Sequence, residues 1–119
     1  MAYVDGFVVP VPKRKVEAYR KMARKAGKIW REHGALEFYE FVADDVPYGK
    51  RTSFPRAVKV NPTETVVFAY IVYRSRKHRD SVQAKVMKDK RSAPMMDMKN
   101  LPFDAKRMIY GGFKSIVAL

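Results

Sequence analysis

Asp5, Glu40, Arg79 and Arg107 are the side chains in this chain best suited to do chemistry together. Asp5 lies in an apolar run near the start, Glu40 in a second one, and Arg79 and Arg107 in basic stretches further on. A carboxyl carried into an apolar pocket has its pKa raised, so it can give or take a proton. An arginine beside it adds a fixed fork of donors for an anion. These four form the candidate catalytic set; Tyr39, Asp44, Asp45 and His78 form the candidate ligand-binding set. The plainer reading, preferred here, pairs Asp5 and Glu40 with Arg79 or Arg107 as a buried structural network. Asp44 and Asp45 can cap a pocket, bind a cation or pair across a subunit contact. They are not a metal motif, because the spaced acidic pattern of a calcium loop and a nearby histidine are both missing. His33, one turn after Trp30, reads as a helix-terminal residue there for packing and the dipole. No metal and no cofactor are expected.

The elements that must position these residues follow from periodicity. Tyr3 to Val9 reads as a strand that Pro10 and Pro12 end, with Pro12 opening a helix from about Lys13 to His33. Val16, Tyr19, Met22, Ala23, Ala26, Ile29, Trp30 and His33 give that helix one apolar face, and Gly34 stops it. Leu36 to Ala43 reads as a second strand, Asp44 to Pro55 as a long connection, and Ala57 to Val60 as a short strand. Val66 to Tyr73 is a strand apolar on both faces. Ser75 caps a second helix from Arg76 to about Asp89, and Arg107 to Val117 is the last strand, with Gly111 and Gly112 marking a bulge or a close backbone approach. Strand, helix, strand, strand, helix, strand is the ferredoxin-like order, with both helices on one face of an antiparallel sheet. The two-sided apolar strand then needs cover on the other face, which points to a homodimer formed through the sheet.

Composition bounds the rest. The chain has 119 residues, fitting one domain over 1–119, and 47% of them are hydrophobic. There is no cysteine, so disulfides, thiolate metal sites and cysteine nucleophiles are excluded. The first residues lack a signal-peptide pattern and no stretch is apolar enough to span a bilayer, so a cytoplasmic location without a membrane partner is expected. Lys and Arg number 25 against 12 Asp and Glu, a net charge of +13 that invites polyanions. Lys13, Arg14 and Lys15 sit where they oppose the helix dipole, and read as solvated or as phosphate contacts.

Three blocks in order carry a resemblance: Asp5-Gly6-Phe7-Val8-Val9, the run from Ala43 to Lys50, and the run from Pro102 to Phe113. On these, the chain resembles the bacterial family labelled domain of unknown function 1428. Asp89-Lys90-Arg91 departs from the Asp-Pro-Arg expected there, which puts the turn in question. The resemblance implies a dimeric α/β barrel, in which two ferredoxin-like subunits pack open sheet faces together. It implies no established activity. Superfamily relatives include haem-degrading, quinol and polyketide monooxygenases and muconolactone isomerases. The haem type would use a polar first-strand residue, a central-strand tryptophan and a second-helix histidine. Asp5 and His78 sit in similar elements, but Trp30 is on the first helix.

The reading is therefore a protein that binds a small molecule, or catalyses a cofactor-independent monooxygenase- or isomerase-like reaction, in a pocket of a dimeric barrel. The alternative from a different class is a nucleic-acid-binding module using the basic first helix. Phe68 to Tyr73 fits the aromatic half of an RNA-recognition strand, although the Lys/Arg-Gly start is missing. A third is a non-enzymatic interaction protein.

Overall fold

A computed structural model describes residues 2–119. Four strands, β1 (Tyr3–Pro12), β2 (Glu37–Val42), β3 (Glu64–Tyr73) and β4 (Ile109–Lys114), form one antiparallel sheet in the order β2-β3-β1-β4. Helices α1 (Val16–Glu32) and α3 (Arg76–Lys88) cover one face, and a single-turn helix α2 (Phe54–Ala57) lies in the β2–β3 connection. This is the expected α+β, ferredoxin-like arrangement.

β1 runs past its prolines instead of ending at Val9. Pro10 and Pro12 pair with Val66 and Glu64 in register, while pairing to β4 stops at Val8. Lys13 donates its N–H to Thr63, so the odd-numbered residues of β1 bond β3 and the prolines face away from it. Their missing donors thus fall where β4 has already ended, the position a strand tolerates. Lys13–Lys15 form a 3-10 turn, and the α-helix starts only at Val16.

The helix-facing side of the sheet holds the core. Val9, Val11, Val67 and Ala69 pack on Tyr19 and Ala23 of α1; Ile71 and Tyr73 pack on Ile29 of α1 and Val82 and Val86 of α3. Gly27 lets helix and sheet approach, because a Cβ there would lie 2.8 Å from the Phe38 ring. Gly34, at φ +115°, turns the chain out of α1 into β2.

The segment 57–60 is not a strand. Ser53 caps α2 by accepting the Arg56 N–H, Lys59 takes a left-handed φ of +52°, and Val58 packs on Val8 and Val66. The alternation of apolar residues there serves to cover one corner of the open sheet face rather than to add a strand. The last strand is also shorter than Arg107–Val117, and its pairing is unbroken through Gly111 and Gly112. The close approach does exist: a Cβ on Gly112 would collide with the Tyr3 ring. The Asp89-Lys90-Arg91 turn forms without a proline, since Asp89 Oδ1 accepts the Arg91 N–H and caps the 3-10 segment Lys90–Met96.

The other sheet face carries Tyr39, Phe41, Phe68, Ile109 and Phe113, each more than two-fifths exposed. Tyr39 stacks on Phe41 and meets Tyr70, and Phe54 from α2 meets Phe68 edge-on. No helix among the described residues is long and apolar enough to cross a membrane.

Candidate functional site

The four candidate catalytic residues do not converge. They fall into three polar clusters, each built on a different part of the sheet. At one end, Asp5 is 4% exposed on the helix-facing side of β1. Arg79 of α3 donates to it at 2.7 Å and Gln83, one turn on, at 3.3 Å. Beside it, Trp30 donates to the Tyr73 hydroxyl at 3.1 Å. The Arg79 guanidinium lies over the Tyr3 ring. Burial pushes the Asp5 carboxyl above its ordinary pKa, and the attraction of Arg79 only partly offsets this. Every buried polar side-chain atom among the described residues has a partner, so this cluster presents no group free to react.

At the opposite end, Arg107 makes a bidentate pair with Glu64, at 2.8 and 2.5 Å, and also bonds Asp104 and the Lys59 carbonyl. Arg107 therefore belongs to neither Asp5 nor Glu40: Glu64 at the start of β3 takes it. The pair holds the Glu64 carboxyl below its ordinary pKa, chiefly through the Arg107 hydrogen bonds.

Glu40 stands between these clusters, on the helix-facing side of β2. Neither arginine reaches it; Tyr19 of α1 donates to it at 2.5 Å. Burial pushes the Glu40 carboxyl above its usual pKa, and the Tyr19 hydroxyl is raised by burial and by the carboxylate beside it. This pair lies in the wall of an open groove of about 660 Å³ between α1 and β2. Its floor is Val16, Ala23 and Gly27 from α1, Phe38 and Val42 from β2, and Val67 from β3. Its rim on the helix side is Arg20, Arg24, Lys28 and Arg31. One titratable pair in a mostly apolar concavity rimmed by charge is the usual form of a small-ligand site.

The candidate ligand-binding residues are scattered. Tyr39 points to the open sheet face, opposite to its neighbour Glu40. Asp44 and Asp45 are exposed in the connection after β2. That connection is held by Arg56, which donates to the Tyr48 and Gly49 carbonyls and lies 4.1 Å over the Tyr48 ring. His78 is occupied: Nδ1 accepts the Arg74 N–H at 3.0 Å, and the Gly34 backbone faces the ring from the other side. With Nδ1 taken by a backbone N–H, only Nε2 is left to a ligand. His33 bonds Asp89 at 2.8 Å, and Arg91 links Asp89 to Glu32 at 2.6 Å. Among the described residues no group of acidic and histidine side chains could hold a metal ion.

The sequence alone does not mark Tyr19, Gln83, Tyr73 or Glu64 as partners of these residues. Tyr19 carries a signal: a tyrosine on a buried helix face needs a partner for its hydroxyl.

Comparison with known proteins agrees with this architecture. A dimeric ferredoxin-like protein from an uncultured marine organism superposes with a TM-score of 0.53 at 11% identity, covering all of this chain and 98% of that one. The uncharacterized protein YbaA of Escherichia coli K12 is 51% identical over 117 residues, 98% of each chain, and YbaA of Shigella flexneri matches to the same extent. The family model described as protein of unknown function, DUF1428, matches residues 2–105. With the sheet order, the helix-covered face and these matches in agreement, the chain belongs to the DUF1428 family.

Proposed function

We propose that the protein is a small-molecule-binding subunit of a homodimer, and that its ligand lies in the groove between α1 and β2. The carrying observation is that groove: about 660 Å³, apolar in its floor, with the Glu40–Tyr19 pair as its half-buried polar group. Glu40 is the one candidate acid or base that faces an open cavity, so any proton exchange with a ligand falls to it. The dimer rests on the exposed aromatic face of β2, β3 and β4 and on the dimeric ferredoxin-like protein of the same fold. Contiguous apolar patches of this kind mark interaction surfaces. The groove opens on the helix side, so sheet-to-sheet packing leaves it accessible.

Amide shift mapping tests the reading. Titration with the neutral apolar probe N-phenyl-1-naphthylamine should move Ala23, Gly27, Phe38 and Val42. Shifts confined to Tyr39, Phe68 and Phe113, or none, would reject the groove.

Nucleic acid is the second reading, favoured by one observation: Arg20, Arg24, Lys28 and Arg31 make a continuous exposed stripe outside the sheet face. Affinity for RNA that depends on base or shape at fixed salt would support it. Indifference to both would leave only counterion-driven attraction.

A further inference from the structure

The groove's charge is laid out unevenly along its length. At the end nearest the start of α1, the lining is Val16, Val42 and Val67, with Phe41 of the edge strand at the margin. Val16 to Ala23 is about 10 Å of helix. Arg20, on this stretch of the rim, pairs with Glu17 at 3.4 Å; beyond Ala23 the rim carries Arg24 and Lys28 one turn apart, with Arg31 following. Arg31 is used, donating to the Leu36 carbonyl at 2.6 Å. Glu32, the acidic residue of this rim, is held by Arg91 at 2.6 Å and so does not neutralise it. Among the described residues Arg24 and Lys28 make no ion pair. Like charges at i,i+4 cost a helix a few tenths of a kcal/mol, and an anion seated between them would relieve that repulsion.

We propose that the groove takes a single-chain anionic amphiphile, its apolar tail over Val16, Val42 and Val67 and its anionic head between Arg24 and Lys28. This rests on the groove reading above. A neutral apolar ligand would leave the paired cations unused, and a small anion without a tail would leave the apolar end empty. Carboxylate and phosphate heads meet the same chemistry here; the ligand is a soluble molecule rather than a lipid surface, because the apolar part of the site is a recessed trough and not a protruding face.

Displacement of N-phenyl-1-naphthylamine from the full chain tests this. Decanoate should displace the probe at about tenfold lower concentration than decanol, as expected for one charge-assisted contact, and inorganic phosphate should not displace it. Arg24→Glu with Lys28→Glu should weaken decanoate about tenfold and leave decanol unchanged. Lys21→Glu with Lys25→Glu makes the same charge change on α1 outside the groove lining, and should leave decanoate unaffected. Equal displacement by decanol and decanoate, or equal loss in both double variants, would overturn the anionic assignment while the groove reading stands. Probe that binds in the groove but is displaced by neither amphiphile would overturn the amphiphile assignment alone, and probe that does not bind would overturn both. Co-sedimentation with phosphatidylglycerol vesicles without decanoate binding would assign the stripe to a lipid surface and overturn the proposal.

Discussion

At the Asp5–Arg79 pair the carboxylate is buried and its charge is answered by one guanidinium. Removing that guanidinium leaves the charge uncompensated, so Arg79→Ala should cost about 3–5 kcal/mol. Asp5→Asn combined with Arg79→Ala should cost less than Arg79→Ala alone, as chemical denaturation of the two variants would show. Glu40 and Glu64 make a second contrast, because their shifts have opposite signs. The Glu40 pKa is raised in the fold, so its contribution is fully present below the ordinary value and is lost as pH rises through the folded value. Glu40→Gln should therefore gain stability relative to the parent as pH rises above about 4.5. The Glu64 pKa is lowered, so its contribution is present above the ordinary value and lost as pH falls through the folded one. Arg107→Ala should flatten the acid side of the stability profile. Urea midpoints across pH check both; profiles that move together would contradict the assignment. The Asp5–Arg79 pairing was among the alternatives the sequence offered. The choice of Glu64 over Glu40 for Arg107 was not legible, because Glu64 reads as a turn residue until β3 is seen to begin there.

The α1–β2 contact sets the groove at the element scale. Gly27 sits where the Phe38 ring leaves no room for a side chain. Gly27→Ala gains up to about 1 kcal/mol in helix propensity and meets an overpacking cost of about 1–3 kcal/mol. The variant should be destabilised by about 1 kcal/mol, and Phe38→Leu in the same chain should recover most of it; thermal unfolding measures both. Helices and strands with strong periodicity, α1 and β3 above all, stood in the sequence nearly as they stand in the fold. Those that depended on neighbours did not. The prolines of β1 look like terminators until β4 is known to stop at Val8. Val58 and Val60 look like a strand until Val58 is found against Val8 and Val66.

For the whole molecule, the exposed aromatic face is the feature on which the proposed dimer rests. Phe68 is 43% exposed at its centre, among Tyr70, Phe41 and Phe54. Phe68→Asp should convert a dimer to a monomer or an insoluble chain, read by light scattering. An unchanged, well-folded dimer would refute sheet-to-sheet packing. The groove's basic rim on α1 is on the far side of the sheet from that face, so the variant should leave probe binding in the groove unchanged.

The sequence by itself determined the ferredoxin-like order, the apolar face of the first helix and a central strand apolar on both faces, because hydrophobic period and capping residues act locally. Only the tertiary structure decided which charges meet. Asp5 and Glu40 sit at separate rows of one sheet and Arg107 in the turn before β4, and the packing of distant segments gives each a different partner. The groove is likewise a product of packing: its basic rim and its carboxyl belong to elements that meet only because Gly27 lets them close.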